Sequence, residues 1–131
     1  MPTILILDDE TAVRESFSDY FEDRLWKIIQ AESAEKALKL LEKNVVDAAI
    51  VDVRLPGIDG NEFIKKARLL KQKIAFVVCS GSPEYTIPLD LLDLSCVSNR
   101  LFKKPVNNFA QMEEDVLKVM DRLKNNEDKD E

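Results

Sequence analysis

Four consecutive large aliphatics, Ile4-Leu5-Ile6-Leu7, run straight into Asp8-Asp9-Glu10. A strand with one wet face alternates apolar and polar residues, so an unbroken run must be covered on both faces. That requirement demands a central parallel strand sandwiched between helices. Two more runs repeat the pattern: Ala48 to Val51 before Asp52, and Ile74 to Val78 before Cys79-Ser80-Gly81-Ser82-Pro83. Each is short, partly β-branched and closed by turn residues.

Between the runs the apolar period changes to that of helices. From Thr11 to about Arg24, Val13, Phe17, Tyr20 and Phe21 share a face. Trp26 to Gln30 reads as a second strand. Ser33 caps a helix striped by Ala34, Ala37, Leu38 and Leu41. After Pro56 and Gly57, Asp59 is an N-cap with Glu62 three residues on, and Phe63, Ile64, Ala67 and Leu70 point inward. Pro88 opens a short helix with Leu89 to Leu94 as its body and Thr86 as a candidate cap. Leu101-Phe102 is a brief fifth strand before Lys103-Lys104-Pro105. Asn107 to Leu123 is the last helix, with Phe109, Met112, Val116, Val119, Met120 and Leu123 along one side. Residues 1–124 form one domain, and 125–131 a polar acidic tail.

Five strands alternating with five helices make an α/β domain with a parallel sheet and right-handed crossovers. All strand C-termini then lie on one edge. Asp8, Asp9, Asp52, Ser80 and Lys104 each fall at or just past such an end and converge on one rim, where open α/β sheets hold ligands.

The composition narrows the chemistry. With no histidine among 131 residues, Ser-His-Asp and Cys-His schemes and His-ligated metals are excluded. A net charge of -6 argues against nucleic acid and anionic membranes. Three glycines and neither G-x-G-x-x-G nor a P-loop argue against a nucleotide fold. Cys79 and Cys96 lie in or beside apolar stretches and read as reduced structural residues. With no signal peptide or membrane-length apolar run in view, the expected location is the cytoplasm. Three carboxylates on one rim need more compensation than one lysine supplies. All-oxygen ligation points to Mg2+ or Mn2+. Asp52 is the candidate nucleophile for phosphoryl transfer, with Ser80, the Gly81 N–H and Lys104 as donors to the phosphoryl oxygens. Singly, each motif has a plain structural reading: an acidic helix start, a turn Asp, a Ser-Gly loop, surface lysines. In that order, at those strand ends, together they favour the functional one.

Together these residues resemble a receiver domain of a two-component response regulator, of the single-domain chemotaxis type, from about Thr3 to Leu123. Asp8-Asp9 match the acidic pair, Asp52 with Pro56 and Asp59-Gly60 the phosphoacceptor motif, Ser80 the strand-end Ser/Thr and Lys104-Pro105 the Lys-Pro. The resemblance implies a flavodoxin-like doubly wound (βα)5 three-layer sandwich around a five-stranded parallel sheet. It implies Mg2+ held by Asp9, Asp52 and the Arg54 carbonyl, with Asp8 assisting through water. It further implies a phosphoryl donor that is a sensor histidine kinase or a histidine phosphotransfer protein. Arg54 and Ser82 take the places that flank attacking water. Leu101 stands where an aromatic switch residue is usual, and Val97-Ser98 replaces Gly-Ala, so the switch is expected to fall on residues 83–95. A monomer, or a weak dimer through the helix 4–strand 5–helix 5 face, is expected, with an unknown downstream protein target. Two other functions compete. An aspartyl-nucleophile phosphatase uses an acid two residues after the nucleophile, where this chain has Arg54. A phosphorylation-independent interaction module would have no need of Asp8, Asp9, Asp52, Ser80 and Lys104 together.

Overall fold

The computed structural model describes residues 2–125. Its elements are β1 (Thr3–Leu7), α1 (Thr11–Asp23), β2 (Lys27–Ala31), α2 (Ala34–Lys43), β3 (Ala48–Asp52), α3 (Gly60–Arg68), β4 (Ala75–Ser80), α4 (Leu89–Leu92), β5 (Val97–Lys103) and α5 (Phe109–Asn125). The sheet order is β2-β1-β3-β4-β5, and every pairing is parallel. The expected α/β class, sheet and helix alternation are those observed. Of the expected acidic tail, Asn125 closes α5 and 126–131 lie outside the described residues.

Strand alternation sorts the apolar side chains into two layers. Leu5, Leu7, Ala49, Val51, Phe76 and Val78 face one way and meet Ala37, Leu41, Phe63, Ile64 and Leu91 of α2, α3 and α4. Ile4, Ile6, Ala48, Ile50, Ala75 and Val77 face the other way and meet Phe17, Phe21, Met112, Val116 and Val119 of α1 and α5. All of β1, β3 and β4 is buried, as the continuous apolar runs require.

Three helix starts are capped by the side chains that precede them: Lys36 N–H donates to Ser33 Oγ at 3.1 Å, Glu62 N–H to Asp59 Oδ1 at 2.9 Å, and Gln111 N–H to Asn108 Oδ1 at 3.0 Å. The last bond begins α5 at Phe109 rather than Asn107. α4 is a single turn entered through Pro88, and Thr86 makes no cap for it. β5 runs for seven residues rather than two. As the edge strand it has a solvent side, where Asn99 and Arg100 are exposed; with the buried but polar Ser98 they belong to it without an apolar signature. Arg100 is held there by Asp115 on α5 at 2.7 Å. β4 reaches Ser80, two residues beyond its apolar run, because Ser80 pairs with Lys103.

Gly60 brings α3 against the end of β3. Its N–H donates to the Val53 carbonyl at 2.9 Å. A Cβ placed there would lie 2.4 Å from the Asp52 carbonyl oxygen and 2.8 Å from Val53 Cα. Only glycine lets the helix start so close to that backbone.

The candidate phosphoryl-transfer site

Strand order reverses direction between β1 and β3, and an open α/β sheet forms its crevice outside the C-terminal ends at that point. Here the crevice is an open cleft of about 540 Å³ lined by Asp9, Glu10, Asp52, Arg54, Gly81, Ser82, Pro83, Glu84 and Lys104. Its residues come from the ends of β1, β3, β4 and β5.

Lys104 ties these ends together. Its Nζ lies 2.5 Å from Asp8 Oδ2, 3.1 Å from Asp52 Oδ2 and 3.9 Å from Glu10 Oε1. Asp8 and Asp52 are both buried, at 1% and 4% exposure. A single ammonium between two buried carboxylates leaves the group one negative charge in excess. Burial, then the neighbouring Asp8 charge, raises the Asp52 pKa above the ordinary carboxylate value, against the opposing pull of Lys104. The paired carboxylates in turn raise the Lys104 pKa against its own burial. Lys104 N–H donates to the Ser80 carbonyl at 2.9 Å, and Lys104-Pro105 is a cis peptide bond.

Carboxylate oxygens of Asp8, Asp9 and Glu10 lie within 4.8 Å of one another. Asp9 and Glu10 are exposed, and Asp8 steadies the turn by accepting Glu10 N–H at 2.9 Å. The donor set is all oxygen, with one lysine shared among several acids. It fits a hard divalent cation.

The sequence-derived residues of the phosphoryl site fall around this cleft, while the expected switch residue Leu101 packs against the core. Asp8 faces Lys104, and Asp9 takes the open side. Ser80 is fully buried, and its Oγ accepts Ser82 N–H at 3.0 Å. Arg54 and Ser82, expected to flank attacking water, touch: Arg54 Nη2 donates to Ser82 Oγ at 3.2 Å, while Arg54 N–H donates to Asp52 Oδ1 at 3.3 Å. Leu101 packs with the α2–α3–α4 layer and Phe102 with the α1–α5 layer, so the aromatic ring is on the opposite face from Leu101. Glu10 and Lys103 were not singled out. Glu10 was legible as the third acid of its run. Lys103 carried no signal, since a second lysine beside Lys104 reads as surface charge.

The family model described as "Response regulator receiver domain" matches residues 4–116. The chain belongs to the response regulator receiver family. Relatives agree with that membership. Sporulation initiation phosphotransferase F of Bacillus subtilis is 26% identical over 102 residues, 78% of this chain and 81% of that protein. A cyclic di-GMP phosphodiesterase of Thermotoga maritima is 32% identical over 105 residues, 80% of this chain but 27% of that protein. The receiver therefore spans most of the first relative and about a quarter of the second. Among solved structures, the Mg2+-BeF complex of response regulator protein TrrA from Thermotoga maritima superposes with a TM-score of 0.76 at 27% identity, covering 91% of this chain and 99% of that one. Among the described residues, no helix is long and apolar enough to cross a membrane.

Proposed function

We propose that this receiver accepts a phosphoryl group on Asp52 from a histidine kinase or histidine phosphotransfer protein and signals through the resulting change of shape. The observation that carries the reading is the Lys104 ammonium, fixed between Asp8 and Asp52 at the floor of an acidic cleft. Phosphoryl transfer needs a positioned nucleophile and fixed positive charge more than it needs acid–base chemistry. Asp52 supplies the oxygen. It forms a bond to phosphorus as the bond to the donor imidazole nitrogen breaks. Lys104, held between Asp8 and Asp52, is placed to donate to a phosphoryl oxygen. The Gly81 N–H and the Ser80 hydroxyl, turned away from Ser82, donate to the others.

Asp9, Asp52 and the Arg54 carbonyl are the residues to hold Mg2+ or Mn2+, with Asp8 reaching it through water. When bound, the ion would neutralise charge on the transferring oxygens. The cytoplasm is the proposed compartment. Residues 1–124 are the proposed receiver unit, acting through protein contact as a monomer or weak dimer. Arg54 speaks against the phosphatase alternative. A guanidinium bonded to Ser82 cannot give up the proton such a reaction requires.

Acetyl phosphate with and without Mg2+, read by intact mass, tests the reading. Wild type gains one phosphoryl group with the ion only, and Asp52→Asn gains none. Labelling that persists in Asp52→Asn rules the acceptor out.

A further inference from the structure

One wall of the cleft is the turn that leaves β4. Ser82, Pro83 and Glu84 line it, and a lysine outside the cleft holds it. Lys103 Nζ donates to three carbonyls of this turn: Ser82 at 3.1 Å, Pro83 at 3.1 Å and Tyr85 at 3.3 Å. An ammonium has three donors, and all three are used here. Strand alternation sends Lys103 to the same side as Leu101, toward the turn, while Lys104 is spent on the carboxylates. The other ties on the turn are weaker or lie at its ends. Tyr85 N–H reaches the Ser82 carbonyl at 3.4 Å, and the Tyr85 hydroxyl donates to Asn61 Oδ1 on α3 at 2.8 Å.

We infer that Lys103 is a positioning residue for phosphoryl chemistry at Asp52: by gathering three carbonyls it keeps the β4–α4 turn closed over the cleft and so lengthens the life of the phosphorylated state. The argument runs through Ser82. Its carbonyl is bound by Lys103, its N–H by Ser80 and its hydroxyl by Arg54. Releasing the carbonyl loosens Ser82, and Arg54 loses its seat beside Asp52. In hydrolysis a water oxygen bonds to phosphorus while the bond from phosphorus to the Asp52 oxygen breaks. Carboxylate and inorganic phosphate leave, and the water protons pass to phosphate and solvent. A closed turn with Arg54 against it narrows the approach of that water.

The inference rests on the phosphoacceptor reading, so the experiment has an arm independent of phosphorylation. Hydrogen exchange of residues 82–87 is measured without any phosphodonor in wild type, Lys103→Met and Lys103→Arg. The decay of the phosphorylated form after removal of acetyl phosphate is followed in the same three proteins. Lys103→Met keeps the stem and removes the donors. Exchange in the turn should rise on the order of tenfold, as expected when charged hydrogen bonds close a local opening. Decay should accelerate at least about threefold, with the initial rate of labelling and Mg2+ affinity little changed. Lys103→Arg, which keeps charge and donors, should restore both readouts toward wild type. Unchanged exchange in Lys103→Met refutes the clasp, even if no protein takes a phosphoryl group. Raised exchange with unchanged decay refutes its role in lifetime. Failure of wild type to be labelled overturns the parent reading and this role with it, while exchange still decides the clasp.

Discussion

Replacing Gly60 by alanine tests how tightly the nucleophile is built into the fold. The new methyl group would meet the Asp52 carbonyl oxygen at 2.4 Å, Val53 Cα at 2.8 Å and Val51 Cγ1 at 2.9 Å. The first two are backbone atoms of the strand end that carries Asp52, and they cannot swing aside as a flexible side chain can. Ordinary carbon contacts begin near 3.5 Å, so α3 or the end of β3 must move by about 1 Å. Overpacking of this kind costs about 1–3 kcal/mol, and a clash with backbone belongs at the upper end. For a domain of this size about 3 kcal/mol lowers Tm by roughly 10 °C. Gly81 is the matched control. The nearest atom to a Cβ there is Lys104 Cδ at 4.0 Å. Gly81→Ala also keeps its N–H. It should shift Tm by no more than about 2 °C and take a phosphoryl group at the wild-type rate. Gly60→Ala should be both less stable and slower to react, because the shift displaces Asp52 from Lys104. Thermal unfolding by circular dichroism and the initial rate of acetyl phosphate labelling are the assays. Equal Tm values for the two variants would refute the packing argument. A destabilised Gly60→Ala that reacts at full rate would break its link to the site.

Three more outcomes can be measured. Because burial and Asp8 hold the Asp52 pKa above its ordinary value of 3.8, the folded state binds that proton more tightly than the unfolded chain. Stability from this group is fully present at low pH and is lost as pH rises through the folded pKa. Asp52→Asn should therefore melt higher than wild type at pH 7, with the gain shrinking on acidification, and a lower melting point at neutral pH would contradict it. Asp9→Ala should weaken Mg2+ binding at least about tenfold in titration calorimetry, while Lys104→Ala leaves it equal or tighter by removing a repelling cation; parallel losses in the two would refute the division of labour. Glu113, 7% exposed, accepts from Trp26 Nε1 at 2.9 Å, Arg24 Nε at 3.0 Å and the Tyr20 hydroxyl at 3.3 Å. Glu113→Ala should cost about 2–3 kcal/mol by stranding the buried indole N–H, and Glu113→Gln about half as much; a loss under about 0.5 kcal/mol in the alanine variant would show that water takes over the bonds.

The parts of the site that could be read from sequence were those fixed by strand ends. A continuous run such as Ile4 to Leu7 must be central and parallel. Its C-terminal neighbours, Asp8 and Asp9, must then share a rim with Asp52, Ser80 and Lys104. What escaped depended on contacts between distant residues. The length of β5 came from pairing with β4 and from Arg100 bonding to Asp115, neither of which leaves a local pattern. The Arg54–Ser82 bond spans 28 positions. The Lys103 contacts span 18 to 21 positions and depend on how the β4–α4 turn presents its carbonyls. The Asn108 cap was missed because Asn107 and Asn108 are equivalent by type, and only geometry chooses between them.

Trp26, the sole tryptophan of the chain, sits just before β2 at the N-terminal edge of the sheet. The cleft opens at the other edge, a strand length of roughly 16 Å away. Its ring meets Phe21 edge-on with centroids 5.5 Å apart, and its N–H is spent on Glu113 of α5. Optically, then, this receiver has one indole, wired to the contact between α1 and α5 and remote from Asp52. Its fluorescence should report loss of the whole fold and stay dark to an ion entering the cleft. A second indole engineered near residue 84 would be needed before light could follow the chemistry.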